Sequence, residues 1–224
     1  MSNRDLILAA KENLAVLHQE LVKNKLVVWT GGNVSERVRF ADGTPDVIVI
    51  KPSGLSYEEL TPASMVVCDL NGAVIEGSRS PSSDTAAHAY VYRNMLEVNG
   101  VVHTHSNYAC GWAAVGKPIP CILTAIADEF GGEIPVGPFA IIGDDSIGRG
   151  IVQTLAGHRS PAVLMQNHGV FTIGKTAKDA VKAAVMCEDV AKSAFIATQL
   201  GQPIEIPEAR VTDLFNRYQN VYGM

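Results

Sequence analysis

The sequence predicts a mixed α/β protein built in layers, and three observations carry that expectation. Stretches with apolar residues at helical spacing interleave with short β-branched runs along the whole chain. Several of the β runs are joined by turns too short to hold a crossover helix, which argues against a pure βαβ winding. And 47% of the 224 residues are hydrophobic, enough to bury a sizeable core and unlike a disordered composition. No repeat, low-complexity stretch or linker divides the chain, so one domain spanning residues 1–224 is expected.

The elements follow in order. Residues 3–24 carry Leu6, Ile7, Ala10, Leu14, Leu17 and Leu21 on one helical face and predict an amphipathic helix. TGGNVSERV (30–38) reads as a tight turn entering a strand, and DVIVIKPSG (46–54) as a short strand stopped by Pro-Ser-Gly. MVVCDLNGAVIEG (65–77) has Asn71-Gly72 where a hairpin would turn. SPSSDTAAHAYVYRNM (80–95) is a helix capped by Ser or Asp. VNGVVHTHS (98–106) is a strand, and the small residues of YACGWAAVG suggest a helix after it. ILTAIADEF (122–130) is ambiguous between helix and strand. IPVGPFAII and PAVLMQNHGVFTIG read as two further strands. Residues 175–201 form the plainest helix, with lysines and acids opposite an Ala/Val/Met stripe and Gly201 to stop it.

Composition excludes several functions. A net charge of −5 gives no footprint for nucleic acid and is too mild to imply a basic partner. No run approaches the ~20 apolar residues of a spanning helix, and the N-terminal stretch lacks the continuous apolar core of a signal peptide. A cytoplasmic protein is expected. Cys68, Cys110, Cys121 and Cys187 are scattered without a CxxC pair and read as reduced thiols.

Two of the six histidines fall in VVHTHS. On a strand, residues i and i+2 share a face, roughly 6.6–6.8 Å apart at Cα, so His103 and His105 can converge on one ion. An open metal site takes three protein ligands. His168 is the leading third candidate, because it follows the apolar run AVLM and precedes Gly169, which permits a sharp turn. The pair alone is equally consistent with packed imidazoles at a strand end. His18, His88 and His158 are read as non-ligands.

Three loops, TGGN (30–33), KPSG (51–54) and SPSSD (80–84), present small residues whose amides and hydroxyls can cradle an anion. Lys51 would add a point charge suited to phosphate. Singly, each loop reads as a turn or a helix N-cap rather than an anion site. GxGxxG does not occur, and GVFTIGKT (169–176), though it spells GxxxxGK[ST], falls in a stretch read as a strand and not as a phosphate loop, so dinucleotide and P-loop chemistry are not indicated.

In combination these stretches are more specific. GGNVS, IKPSG, PSSDT followed by His88, GVVHTHS and NHGVF, in that order, resemble the class II aldolase/adducin superfamily of sugar-phosphate enzymes, from about residue 5 to the last tyrosine. Within it the chain is similar to the L-ribulose-5-phosphate 4-epimerases. Asp84 stands in SSD where related fuculose- and rhamnulose-phosphate aldolases carry glutamate. Asp128 of AIADEF falls where the epimerases keep a catalytic aspartate, and the ending YGM places Tyr222 at their catalytic tyrosine. The chain departs from them at Ile126, where they carry histidine, in SNYACGW after HTHS, and at Met224, where glutamine is common.

The resemblance implies a central, largely antiparallel sheet sandwiched between helical layers, and a homotetramer with active sites at subunit interfaces. It implies that His103, His105 and His168 hold Zn²⁺, or another divalent ion such as Mn or Co, with Asp84 as a nearby or additional ligand. Gly32, Asn33, Ser53, Gly54, Ser82 and Ser83 would cradle the phosphate of a small sugar, with Lys51 close by. Asp128 and Tyr222 would exchange protons at C4, with Tyr218 as the alternative tyrosine. The reaction implied is interconversion of L-ribulose 5-phosphate and D-xylulose 5-phosphate by C3–C4 retro-aldol cleavage through a metal-bound enediolate, and re-addition. An aldolase would share the first half and release the aldehyde. A sugar-phosphate dehydratase of the same superfamily would differ in its product. A non-catalytic adducin-like module is disfavoured because all three histidines are present.

Overall fold

The computed structural model describes residues 1–222. Its helices are α1 (Asn3–Lys23), α2 (Thr85–Asn94), α3 (Asn107–Ala114), α4 (Thr124–Phe130), α5 (Ser146–Leu155), α6 (Ala177–Leu200) and α7 (Glu208–Arg217), followed by a π-helical turn, Tyr218–Tyr222. Its strands are β1 (Asn33–Val38), β2 (Val47–Ile50), β3 (Val66–Asp69), β4 (Val74–Glu76), β5 (Gly100–Thr104), β6 (Val136–Gly137), β7 (Ala162–Met165) and β8 (Gly169–Gly174). They make one 8-stranded sheet in the order β4-β3-β2-β1-β5-β8-β7-β6. Every neighbouring pair is antiparallel except β6 with β7. The predicted class, a largely antiparallel sheet between helical layers, is what forms.

Period-2 alternation assigns the two faces. On β5, Val101 packs with α2 and α5, whereas Val102 packs with α1 and α6. On β8, Phe171 joins the first group, while Val170 joins α3, α4 and α6. One layer is therefore α1, α3, α4 and α6, and the other is α2 and α5. His103 lies two residues past Val101, on the α2 side.

Local sequence explains the ends of the long helices. Ser2 accepts from the Asp5 amide at 3.2 Å and Asp5 accepts from the Ser2 amide at 2.9 Å, a reciprocal cap on α1. Thr176 and Asp179 do the same for α6. Gly100 and Gly174 pair across β5 and β8. A Cβ on Gly100 would meet the Ala177 Cα at 2.4 Å, and one on Gly174 the Ala180 amide at 2.5 Å, so α6 can begin directly on the sheet.

Some expectations are corrected. The ambiguous 122–130 stretch holds helix α4, closed by Gly131 at φ 64°. In IPVGPFAII only Val136–Gly137 is strand. PAVLMQNHGVFTIG is two strands, β7 and β8, turned by Asn167 in a left-handed conformation at φ 56°. The strand of VVHTHS ends at Thr104, leaving His105 just beyond it. Helices α5 and α7 were not expected. Glycine is a poor helix former by propensity, but Gly148 and Gly150 of α5 are close-packing positions. A Cβ on Gly148 would lie 2.6 Å from the Tyr90 Cβ, and one on Gly150 2.7 Å from the Met165 Cε.

His18, read as a non-ligand, links α1 to the start of β1. Its Nδ1 donates to the Leu14 carbonyl at 2.6 Å and its Nε2 accepts from the Val34 amide at 3.0 Å. Burial pushes this imidazole down to about 4. The unfolded chain takes up a proton near pH 6.5 that the folded chain refuses until about pH 4. Its stabilisation is thus complete above pH 6.5 and is lost as pH falls through that window, by about 3 kcal/mol at the low end. His18→Gln is expected to flatten the loss of urea resistance between pH 7 and pH 5. An unchanged pH slope would contradict this.

Candidate metal centre

The three histidines predicted from sequence come together. His103 is the next-to-last residue of β5, His105 follows the strand, and His168 closes the turn between β7 and β8. Their ligating nitrogens all lie within 4.8 Å of one another, and the Nε2 atoms of His103 and His105 face each other at 2.9 Å. His103 is buried, His168 half-buried and His105 exposed, so the group opens to solvent on one side. The His103 ring stacks on Phe171 with centroids 4.1 Å apart, and its Nδ1 donates to the Val170 carbonyl at 2.9 Å. That bond fixes the tautomer and leaves the Nε2 lone pair for an ion. Burial pushes His103 down to about 3 and lowers His168 as well, so both are neutral and able to ligate at neutral pH.

Gly169 makes this convergence possible. A Cβ there would lie 2.6 Å from the Thr104 carbonyl oxygen, 2.9 Å from the His105 ring and 3.1 Å from the His103 ring.

Asp84 lies at the head of α2, 5% exposed. The Asn33 amide donates to its Oδ2 at 2.7 Å, while its Oδ1 is buried without a partner among the described residues. Burial alone would raise this carboxyl, but the imidazoles of His103 and His88 and the Asn33 amide outweigh it and hold it below the usual range. Three imidazoles and a carboxylate whose Oδ1 is unpartnered among the described residues form a donor set that fits a divalent ion.

Beside them the three polar loops are tied into one unit. Lys51 Nζ donates to the Thr30 carbonyl at 3.1 Å and the Pro52 carbonyl at 3.4 Å, joining the first two loops. The Ser53 amide donates to the Ser80 carbonyl at 2.9 Å and the Ser82 amide to the Lys51 carbonyl at 3.0 Å, joining the second and third. Asn33 donates to Ser82 Oγ at 2.9 Å, joining the third to the first. Ser53, Gly54 and Ser83 are exposed, whereas Gly32, Asn33 and Ser82 are buried. Gly32 at φ 78° leaves no room for a side chain, since a Cβ would sit 2.7 Å from Val27 and 2.8 Å from the His103 carbonyl. Lys51 is 2% exposed, and burial lowers its ammonium. Its ammonium donates to two backbone carbonyls and lies 5.3 Å from the Tyr57 ring centroid, so an anion is its natural complement.

Other residues of the site gave no sequence signal. The Tyr57 hydroxyl donates to the Gly31 carbonyl at 2.8 Å and lies 3.1 Å from that of Gly32, tying the first loop to residue 57. Glu188 of α6 accepts from the amides of Tyr108 and Ala109, both at 3.0 Å, and so anchors the helix that leaves His105. In sequence each is an ordinary aromatic or an acid on a helix face.

Asp128 is not brought to the histidines. It is half-buried on α4, which packs on α6 and α7 in the layer opposite α2. The backbone of Tyr222 ends the π-helical turn. Its side chain lies outside the described residues, as do Gly223 and Met224. Tyr218, in the same turn, lies under Lys182, whose Nζ is 4.9 Å from its ring centroid and 2.9 Å from Glu129.

A sheet that ends in three converging imidazoles beside a cluster of polar loops is the frame of a candidate metal centre. The chain belongs to the class II aldolase and adducin family, whose N-terminal domain matches residues 12–195. Among solved structures it is similar to an L-fuculose 1-phosphate aldolase, at 27% identity over 98% of both chains and a TM-score of 0.86. It is also similar to YgbL of Klebsiella pneumoniae, described as a putative aldolase/epimerase/decarboxylase. That match has 25% identity over 96% of this chain and 99% of the other, with a TM-score of 0.76. An aldolase II superfamily protein from Pseudomonas syringae shares the fold at 19% identity, over 100% of this chain and 89% of the other, with a TM-score of 0.83.

Proposed function

We propose that this chain is a divalent-metal-dependent enzyme that breaks and re-forms C3–C4 of a phosphorylated ketose, and that it interconverts L-ribulose 5-phosphate and D-xylulose 5-phosphate. The observation that carries this is Asp84, a buried carboxylate set between the imidazole group and the phosphate loops. An aspartate there is the epimerase-like choice, where related aldolases carry the longer glutamate.

His103, His105 and His168 would hold the ion, zinc by its ligand set, with Asp84 beside it. When bound, the ion supplies Lewis-acid stabilisation of the charge that develops as C3–C4 breaks. Lys51 and the hydroxyls and amides around Gly32, Asn33, Ser53, Gly54, Ser82 and Ser83 bind the phosphate. They also keep the aldehyde fragment in place while it turns its other face. Asn33 orients the Asp84 carboxylate through its amide. Inversion at C4 needs a base on one side of the fragment and an acid on the other, the roles we assign to Asp128 and Tyr222. Because α4 lies in the layer opposite α2, these two would reach a neighbouring subunit's histidines, which a homotetramer provides.

A second reading, aldol cleavage with release of the aldehyde, is favoured by the 27% identity to an L-fuculose 1-phosphate aldolase. A turnover assay separates them. Zinc-loaded protein is expected to convert L-ribulose 5-phosphate to D-xylulose 5-phosphate, and a chelator to stop it. Release of dihydroxyacetone phosphate from a 1-phosphorylated ketose, without epimerisation, would establish the aldolase instead. Asp128→Asn and Tyr222→Phe are each expected to lower turnover about 10²-fold or more with bound metal unchanged. A wild-type rate would remove that residue from the proton transfers.

A further inference from the structure

The geometry points to His88 as a positioning residue for Asp84, locked in its Nε2–H tautomer by a relay from Tyr92 through Ser35. This rests on the reading of Asp84 as part of the site.

Asn33 and Ser35 are two apart on β1 and face α2 together, while Asp84 and His88 are one turn apart on α2. The repeats match, at roughly 6.6–6.8 Å on the strand and about 6 Å along the helix. Two rungs therefore cross between the elements. Asn33 bonds Asp84 at 2.7 Å, and Ser35 bonds His88 Nδ1 at 2.7 Å. On these rungs sit three buried atoms without partners among the described residues: Asn33 Oδ1, Asp84 Oδ1 and His88 Nε2.

The protons can be placed. Tyr92 is fully buried, and burial keeps its phenol protonated. Its hydroxyl lies 2.7 Å from Ser35 Oγ. If Tyr92 donates to Ser35, and Ser35 to His88 Nδ1, each hydroxyl proton has an acceptor. The reverse direction leaves the Tyr92 proton stranded in the core, which costs about 1–3 kcal/mol. The forward direction puts the imidazole proton on Nε2. A donor at Nε2 is the complement of the acceptors Asp84 Oδ1 and Asn33 Oδ1, and one water accepting from His88 and donating to both satisfies all three. Asp84 would then be held on both oxygens, by Asn33 directly on Oδ2 and by His88 through that water on Oδ1.

Long-range ¹H–¹⁵N correlation spectra of ¹⁵N-histidine-labelled protein read the tautomer directly. His88 is expected to carry its proton on Nε2, with and without chelator, and to become a tautomer mixture in Tyr92→Phe. Its Nε2–H resonance is expected to move upfield in Asp84→Asn. An Nδ1–H tautomer in the unsubstituted protein, or a resonance unmoved by Asp84→Asn, would overturn the proposal. Zinc affinity is expected to fall about tenfold in His88→Leu, with His88→Gln, which retains an N–H donor, in between. Equal affinity in all three proteins would overturn it too. Failure of the sugar-phosphate reading would appear as absent turnover and would leave the spectra as described.

Discussion

His103→Ala is expected to abolish both metal binding and turnover. The imidazole supplies one of three converging nitrogens, and its Nε2 is already aimed by the bond from Nδ1 to the Val170 carbonyl. With two histidines left, zinc occupancy by elemental analysis should drop from about one ion per chain to a small fraction. Turnover should fall about 10³-fold or more, equivalent to about 4 kcal/mol of lost charge stabilisation. Removing a ring that is 1% exposed and stacked on Phe171 also leaves a cavity. A destabilisation of about 2 kcal/mol is expected from that alone, so occupancy must be measured at a temperature where the variant is folded. Full metal occupancy in folded His103→Ala would show that the ligand set is wrong.

Gly169→Ala should act on the same centre without touching a ligand. The added methyl would fall 2.6 Å from a backbone oxygen of β5, which cannot swing aside as a flexible side chain would. Relief requires β8 to move away from β5, and that carries His168 away from His103 and His105. The expected result is a loss of about 1–3 kcal/mol in urea unfolding, the range for overpacking, together with zinc affinity weakened about tenfold. Gly111→Ala is the control, because nothing lies within 4 Å of a Cβ there. If Gly169→Ala matched that control in both measurements, the tight β5–β8 approach would not be what sets the imidazole spacing.

The readable parts of this protein are those where local chemistry repeats with a fixed period. The amphipathic face of α1, the long helix α6 stopped by Gly201 and the Asn71-Gly72 hairpin are written in neighbouring residues and form as expected. The His103–His105 pair was legible for the same reason, although the strand stops between them. Helix α5 was not, because glycine is a breaker by propensity and an asset where Tyr90 and Met165 must come close. Tyr57, Glu188 and the His88 rung were invisible. Each works through a partner between 26 and 80 residues away.

The residue types for the chemistry are legible along the chain. It supplied a histidine pair at strand spacing, a third histidine beside a turn glycine, a short acid at a helix head, and small polar loops around one lysine. Only the tertiary structure decided which of these meet. The antiparallel order puts β1, β5 and β8 side by side, so that loop 30–33, His103 and His168 share one end of the sheet. The same folding puts Asp128 in the other layer. The physical reason is range. Hydrogen-bonding preference and hydrophobic period act over a few residues and show in the chain. The meeting of three imidazoles and a carboxylate depends on strand pairing across more than 60 residues, which no local pattern encodes.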